Sequence, residues 1–260
     1  MQLIKTDAHG NDFLIVAAHD VPAGTDLPAL ARRVCDRASG RGADGLLIVE
    51  ETPAGARMQL RNADGSYSEV SGNGVRCIGA WLAQQRHLVV GAVLRIDTDA
   101  GAKELALTAI DGRRCTFRAS MGVPTLIERL CLDVSGEAVD LVTLNIGNPQ
   151  CVVLGPATED RLQRLGSRLA VHKHFPQGTN VELVEVHSPT DLRILIWERG
   201  VGPTESSGTG TCASAVAAAA FGGAARVCDV TAPGGTQHVE WLDEGVWLTG
   251  WAEVVEECAI

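Results

Sequence analysis

Thr204-Glu205-Ser206-Ser207-Gly208-Thr209-Gly210-Thr211-Cys212-Ala213-Ser214-Ala215-Val216-Ala217-Ala218-Ala219-Ala220 is a glycine-punctuated loop that runs into an alanine-rich segment. Alanine has the highest helix propensity, which predicts a helix over Cys212 to Ala220, and Ser207 or Thr209 is suited to cap its first turn. The start of such a helix directs amide hydrogens and the positive end of the dipole outward, and Gly208 and Gly210 let a ligand come close to the backbone, so the loop reads as an anion site. The chain contains the unit a second time. Glu69-Val70-Ser71-Gly72-Asn73-Gly74-Val75-Arg76-Cys77-Ile78-Gly79-Ala80-Trp81 repeats Ser-Gly-x-Gly ahead of a helix-compatible apolar run. Two such helix starts, one in each half, are expected to face each other across one cleft.

Outward from these loops the halves follow a similar order. In the first, Leu3 to Thr6 reads as a strand, and His9-Gly10-Asn11-Asp12 turns into the apolar run Phe13 to Ala17, so Asn11 sits at a strand end. Leu27, Leu30, Ala31, Val34 and Cys35 recur at helical spacing, predicting an amphipathic helix over Leu27 to Ala38. Strands follow at Leu46 to Glu50 and Met58 to Asn62, the latter ending in the turn Ala63-Asp64-Gly65-Ser66. After the helix Asn73 to Gln85 come strands near Val93 to Asp97, Glu104 to Ile110 and Thr116 to Met121. In the second half, strands at Val142 to Ile146 and Cys151 to Leu154, a helix at Asp160 to Leu169, and strands at Val181 to Val186 and Leu192 to Trp197 lead to the opening loop. Short strands at Val239 to Leu242 and Val246 to Leu248 follow it. This predicts an α+β architecture of two similar lobes, 1–118 and 119–260, with the last strand free to pack back on the first lobe.

The composition excludes several classes. A length of 260 residues with 45% hydrophobic content suits one large or two ordinary domains, and the longest apolar segment, Cys212 to Phe221, is too short to span a bilayer. Met1-Gln2-Leu3-Ile4-Lys5 lacks the form of a signal peptide, which predicts a cytoplasmic protein without membrane partners. The net charge of −10 argues against nucleic acid. The 8 cysteines are scattered singly with no C-x-x-C pair, so they read as buried reduced thiols; no metal is expected. Gly208-x-Gly210 lacks the third glycine of a dinucleotide fingerprint, and neither Ser71 nor Ser207 lies in a G-x-S-x-G elbow.

Seven ordered stretches carry a family resemblance: Gly10-Asn11-Asp12-Phe13, Asn62-Ala63-Asp64-Gly65-Ser66, Gly72-Asn73-Gly74-Val75-Arg76-Cys77, Gly147-Asn148-Pro149, Gly178-Thr179-Asn180-Val181, Glu198-Arg199-Gly200-Val201-Gly202 and Gly208-Thr209-Gly210. With Leu248-Thr249-Gly250-Trp251-Ala252 as a closing strand, the chain resembles the diaminopimelate epimerases, amino-acid racemases that work without pyridoxal or any other cofactor. The resemblance implies two pseudo-symmetric lobes, each a curved, mostly antiparallel sheet around a central helix, with the active site between them. It implies interconversion of LL- and meso-diaminopimelate, in lysine and cell-wall precursor biosynthesis, by two groups on opposite sides of the α-carbon: one removes the proton and the other delivers one. The backbone at Gly72 and Asn73 and at Gly208 and Thr209 would hold the α-carboxylate, whose charge grows as the proton leaves. Asn11, Asn62, Asn148, Asn180, Glu198 and Arg199 match side-chain contacts to the amino groups and the distal carboxylate, Arg199 being suited to the latter by its bidentate fork. The implied partner is a small amino acid, with a homodimer left open.

The chain departs from the family at the reactive positions, where Ser71 and Ser207 stand for two cysteines. Cys77 and Cys212 match separate, non-catalytic cysteines. Gln150 replaces a frequent histidine, and Gly45 a glutamine of some members. A serine hydroxyl is less acidic than a thiol and needs a base beside it, for which Glu198 is a candidate. Three readings follow: an epimerase working through serine or silenced there; an epimerase or dehydratase of another amino or imino acid; and a binding protein without turnover.

Overall fold

In the computed structural model, which describes residues 1–259, the chain divides into two units, Met1–Ala119 with the closing segment from Gly250, and Ser120–Thr249. The fold is sheet-rich α+β with few helices.

The first unit opens with β1 (Gln2–Ala8) and β2 (Asn11–Ala17), an antiparallel hairpin. Helix α1 (Leu27–Cys35) follows; Asp26 caps it by accepting from the Ala29 amide, and Pro28 takes a first-turn position where no amide hydrogen is needed. It ends three residues before the expected Ala38, because the Asp36 carboxylate accepts from the Ala38 and Ser39 amides and turns the chain. Then come β3 (Gly45–Thr52), β4 (Gly55–Asn62) and β5 (Tyr67–Ser68), helix α2 (Gly72–Gln85), and β6 (Val93–Thr98), β7 (Gly101–Asp111) and β8 (Arg114–Gly122). Strand β3 is parallel to β2 and β6 is parallel to β4, each crossover being made by a helix. The closing strand, labelled β17 below, pairs with β1 and β8, so that eight strands form a ring. Ile4, Phe13, Ile15, Leu47, Met58, Leu60, Leu105, Phe117 and Val254 point inward onto Val75, Cys77, Ile78, Trp81 and Leu82 of α2. Full burial of each large apolar side chain supplies about 1.5–3 kcal/mol, which makes α2 the element around which this unit packs.

The second unit repeats the succession. Strands β9 (Thr125–Val134) and β10 (Glu137–Asn145) form a hairpin, and β10 pairs with β11 (Pro149–Leu154). Helix α3 (Glu159–Leu169) crosses to β12 (Asn180–Ser188), parallel to β11, and β13 (Asp191–Glu198) returns antiparallel. The short β14 (Gly202–Thr204) leads into helix α4 (Gly208–Phe221), after which β15 (Val227–Ala232) lies parallel to β13 and β16 (Gly235–Leu242) and β17 (Gly245–Ala259) complete the chain. Ten of the 14 residues of α4 are buried, packed on Val152, Val184, Ile194, Ile196, Val230, Val239 and Leu248. Its alanines let the strands approach closely.

Helix α4 begins four residues before the expected Cys212, because the two glycines are taken into its first turn. Strands β9 and β15 went unrecognised in the sequence; β9 is exposed along most of its length and lacks an apolar face to announce it. Six of the 8 cysteines are buried thiols as read, whereas Cys131 is exposed and Cys258 partly so. Among the described residues no helix is long and apolar enough to cross a membrane, and no group of three or more His, Cys, Asp or Glu side chains is placed to hold a metal.

Candidate active site

The two serines singled out in the sequence cap the two central helices in the same way. Ser71 precedes α2 with φ −131° and ψ 124°, and its Oγ accepts from the Gly74 amide at 3.1 Å. Ser207 precedes α4 with φ −145° and ψ 123°, and its Oγ accepts from the Gly210 amide at 3.2 Å. The first backbone bonds of the helices run from Val75 to Ser71 and from Thr211 to Ser207. The amides at Gly72 and Asn73, and those at Gly208 and Thr209, therefore precede the first intrahelical partner and carry the positive dipole end. Each hydroxyl spends an acceptor site on the cap and keeps its own proton to donate.

In the first unit, Asn73 is buried and bonded on both sides: its Nδ2 donates to Asn11 Oδ1 at 3.1 Å, and its Oδ1 accepts from the buried Arg76. Asn11 Nδ2 donates to Asp44 Oδ2 at 2.6 Å. Asp44 accepts from Arg37 at 2.8 Å, which also bonds Asp12 at 2.8 and 3.2 Å, and Lys5 lies 2.8 Å from Asp12. Burial pushes the Asp12 carboxyl up, but the bonds from Arg37 and Lys5 outweigh it and hold the group below its ordinary value. Asn62 is held separately, its Nδ2 donating to Ser66 Oγ at 2.9 Å within the turn that follows β4. Gly45 pairs with Phe13 on one side and Asn62 on the other; a Cβ there would lie 3.0 Å from the Arg61 carbonyl and 3.2 Å from the Phe13 ring, which explains the small residue.

In the second unit, Asn180 Oδ1 accepts from the Arg199 amide at 2.9 Å, and the Arg199 guanidinium donates to the Gln177 carbonyl at 2.6 Å. The Arg199 stem lies over Gly178, whose φ of +73° and the 2.7 Å gap a Cβ would leave to Arg199 Cδ both require glycine. Arg199 is exposed. Asn148 Oδ1 lies 2.6 Å from Gln150 Nε2. Gln150 is buried, its side chain spanning from Asn148 and Thr209 to Glu182. Glu182 is fully buried; burial, and then the charge of Glu198, hold its carboxyl well above the usual range. Below the cap, Gln237 Nε2 donates to Thr211 Oγ1 at 3.2 Å and to Ser206 Oγ at 3.5 Å.

Within one unit the structure thus brings Asn11 and Asn73 into contact, and within the other it joins Asn180 to Arg199 and Asn148 to Gln150. Sequence reasoning missed Asp44 with its partner Arg37, and it missed Glu182. The latter carried a signal: a lone acid in the apolar run Val181-Glu182-Leu183-Val184. Cys77 is buried beside Thr6, and burial pushes its thiol up to about 12, far from a reactive thiolate.

The protein-family model for diaminopimelate epimerase matches residues 3–127 and 142–255. A diaminopimelate epimerase of Desulforudis audaxviator is 41% identical over 273 residues, covering 98% of this chain and 97% of the relative. One of Desulfitobacterium hafniense is 37% identical over 276 residues, covering 98% and 96%. Among solved structures, a probable proline racemase from Agrobacterium radiobacter superposes with a TM-score of 0.76 at 16% identity, over 100% of this chain and 92% of that one. A hydroxyproline epimerase from Agrobacterium vitis does so with 0.71 at 15% identity, over 99% and 91%. At such low identity these two likenesses concern the fold alone. The near-complete matches at the level of sequence place this chain in the diaminopimelate epimerase family.

Proposed function

We propose that the chain is an isomerase that binds diaminopimelate and inverts its α-carbon by two-sided proton transfer, with Ser71 and Ser207 at the two proton-carrying positions. The observation that carries the reading is the matched pair of serine caps, each with its Oγ at the mouth of a helix start. The α-carboxylate would sit at the amides of Gly72 and Asn73 and of Gly208 and Thr209. Asn11, Asn62, Asn148, Asn180, Glu198 and Arg199 would contact the rest of the substrate.

In the forward step one serine oxygen, as the alkoxide, takes the α-proton while the other hydroxyl gives its proton to the opposite face. The Cα–H bond on one side breaks, a new one forms on the other, and the alkoxide changes places. Forming that alkoxide is the costly step: the hydroxyl proton has to pass to a base, for which Glu198 is the candidate, and no thiol acidity assists it. Turnover is therefore slow compared with that of a thiol pair.

Chromatographic resolution of LL- and meso-diaminopimelate after incubation tests the reading, with calorimetry on the same samples. Binding by the unsubstituted chain, with interconversion slow in it and fast in a Ser71→Cys, Ser207→Cys variant, is the expected result. Binding without interconversion in either form would assign a binding protein. Absence of binding, with turnover of a hydroxylated imino acid instead, would assign a relative with a different substrate.

A further inference from the structure

Glu182 lies on β12 with a relative exposure of 0%, facing the first turn of α4: a Cβ placed on Gly210 would come within 2.7 Å of its Oε1. Gln150, on the neighbouring parallel strand β11, presents one end of its amide 2.9 and 3.3 Å from the two Glu182 oxygens. The other end lies 2.6 Å from Asn148 Oδ1 and 3.1 Å from Thr209 Oγ1. The direction of this amide is set by hydrogens, and there are two ways to place them.

If Glu182 is ionised, it accepts only, so the Gln150 nitrogen must face it. The Gln150 oxygen then lies 2.6 Å from the Asn148 oxygen, and Asn148 has to turn as well. If Glu182 carries a proton, it donates to Gln150 Oε1. Gln150 Nε2 then donates to Asn148 Oδ1 and Thr209 Oγ1, and every contact pairs a donor with an acceptor without moving an atom. The second arrangement also avoids a buried, unpaired charge.

We infer that Glu182 is a positioning residue that acts as the neutral carboxylic acid, its proton fixing the direction of the Gln150 amide and, through it, of the Asn148 amide. This rests on the functional reading above, in which Asn148 and Thr209 meet the substrate. With Asn148 Oδ1 committed to Gln150, its Nδ2 hydrogens are left for the ligand, and the group they suit is a carboxylate or another acceptor. Loss of the Glu182 proton reverses both amides and turns an oxygen toward the same ligand group. Of the titratable groups on the packed elements, Glu198 of β13 opposes ionisation of Glu182, and the Cys151 thiol of β11 is pushed up by burial and by Glu182 itself; Asp191 and Arg193 lie toward the other end of β13, and α4 carries the Cys212 thiol. The dipole of α4 works the other way and favours ionisation. Helix α3 packs on the opposite face of β12, against Val181 and Leu183.

Infrared spectroscopy of the ligand-free protein tests the protonation directly. At neutral pH we expect the carbonyl band of a protonated carboxylic acid, absent in Glu182→Gln and shifted in Gln150→Met, which removes the acceptor. Calorimetric titration with meso-diaminopimelate then tests the consequence. Affinity of the unsubstituted chain should fall about tenfold, the worth of one hydrogen bond to a charged group, across the pH range in which the band disappears. Glu182→Gln, which keeps a permanent donor toward Gln150, should show no such fall relative to the titration of the ligand itself. A spectrum unchanged by Glu182→Gln, or a variant whose affinity falls in parallel, would overturn the inference. Lack of binding at every pH would overturn the functional reading instead, while the band still decides the state of Glu182.

Discussion

The starts of α2 and α4 share a cap, a backbone conformation and a central position, yet they are backed by opposite kinds of polar surroundings. Behind the first stands a chain of charges: Asn73 to Asn11, Asn11 to Asp44, and Asp44 through Arg37 to Asp12 and Lys5. Behind the second stand buried Gln150, Thr211, Gln237 and one acid held neutral, Glu182, with the partly buried Thr209 at their edge. A repeated fold thus has two electrically distinct halves. At Asp12 the bonds from Arg37 and Lys5 outweigh burial and hold the charge, whereas at Glu182 solvation is lost without such partners and the proton stays.

The largest expected contrast is chemical. Restoring thiols at both caps should raise interconversion of diaminopimelate by about 10²-fold or more, the usual contribution of a competent acid–base group, while a single Ser71→Cys or Ser207→Cys should recover little because one side remains a hydroxyl. Comparable gains from one thiol alone would break the equivalence of the two starts.

Next is packing at the third residue after each cap. Gly210→Ala drives a methyl to 2.7 Å from Glu182 Oε1, while Gly74→Ala meets only Leu47 Cδ2 and Ser71 Cβ at 3.2 and 3.3 Å. The first should cost about 1–3 kcal/mol of stability as overpacking. In the second, the gain of up to about 1 kcal/mol in helix propensity should offset the squeeze. Thermal unfolding of the pair decides it, and equal losses would mean that the Glu182 wall is not rigid.

The pH dependence of stability should separate the halves by sign. Glu182 keeps its proton in the folded chain above its unfolded value of 4.5, so its contribution is full below that value and is lost as pH rises toward the folded pKa; Glu182→Gln should flatten that loss. Asp12 is held below its unfolded value of 3.8, so its contribution is present above that value and lost as pH falls through the folded pKa; Asp12→Asn should flatten the acid limb. Melting curves across pH test both. The smallest effect belongs to Arg37→Ala: its side chain is 60% exposed, so the change should cost only about 0.2–1 kcal/mol and fade in high salt.

Much of this was legible in the chain because it is written locally. Ser-Gly-x-Gly before an apolar run specifies a cap and a helix start without reference to the rest of the molecule, and both serines take that role. The order of strands and helices was also readable, since each apolar run carries its own period. The parallel neighbours β2 with β3 and β11 with β12 were not, because register across a helical crossover is decided by distant contacts. The same holds for the polar backing of each start. Asp44 looks like any turn acid until Asn11 is seen 2.6 Å away, and the state of Glu182 depends on burial by α4, which strand alternation cannot report. Gln150 was readable as a departure from the family; its partners were not.

In the reaction we propose, one group removes the α-proton and a second delivers one to the opposite face. Starting from LL-diaminopimelate in deuterated water, nuclear magnetic resonance of the early reaction of the Ser71→Cys, Ser207→Cys variant tests it most directly. The account predicts solvent deuterium at the α-carbon of the meso product while the remaining LL substrate stays protonated, because one group removes and another delivers. Product that retains the original proton, or an absence of exchange with the ligand bound, would contradict it.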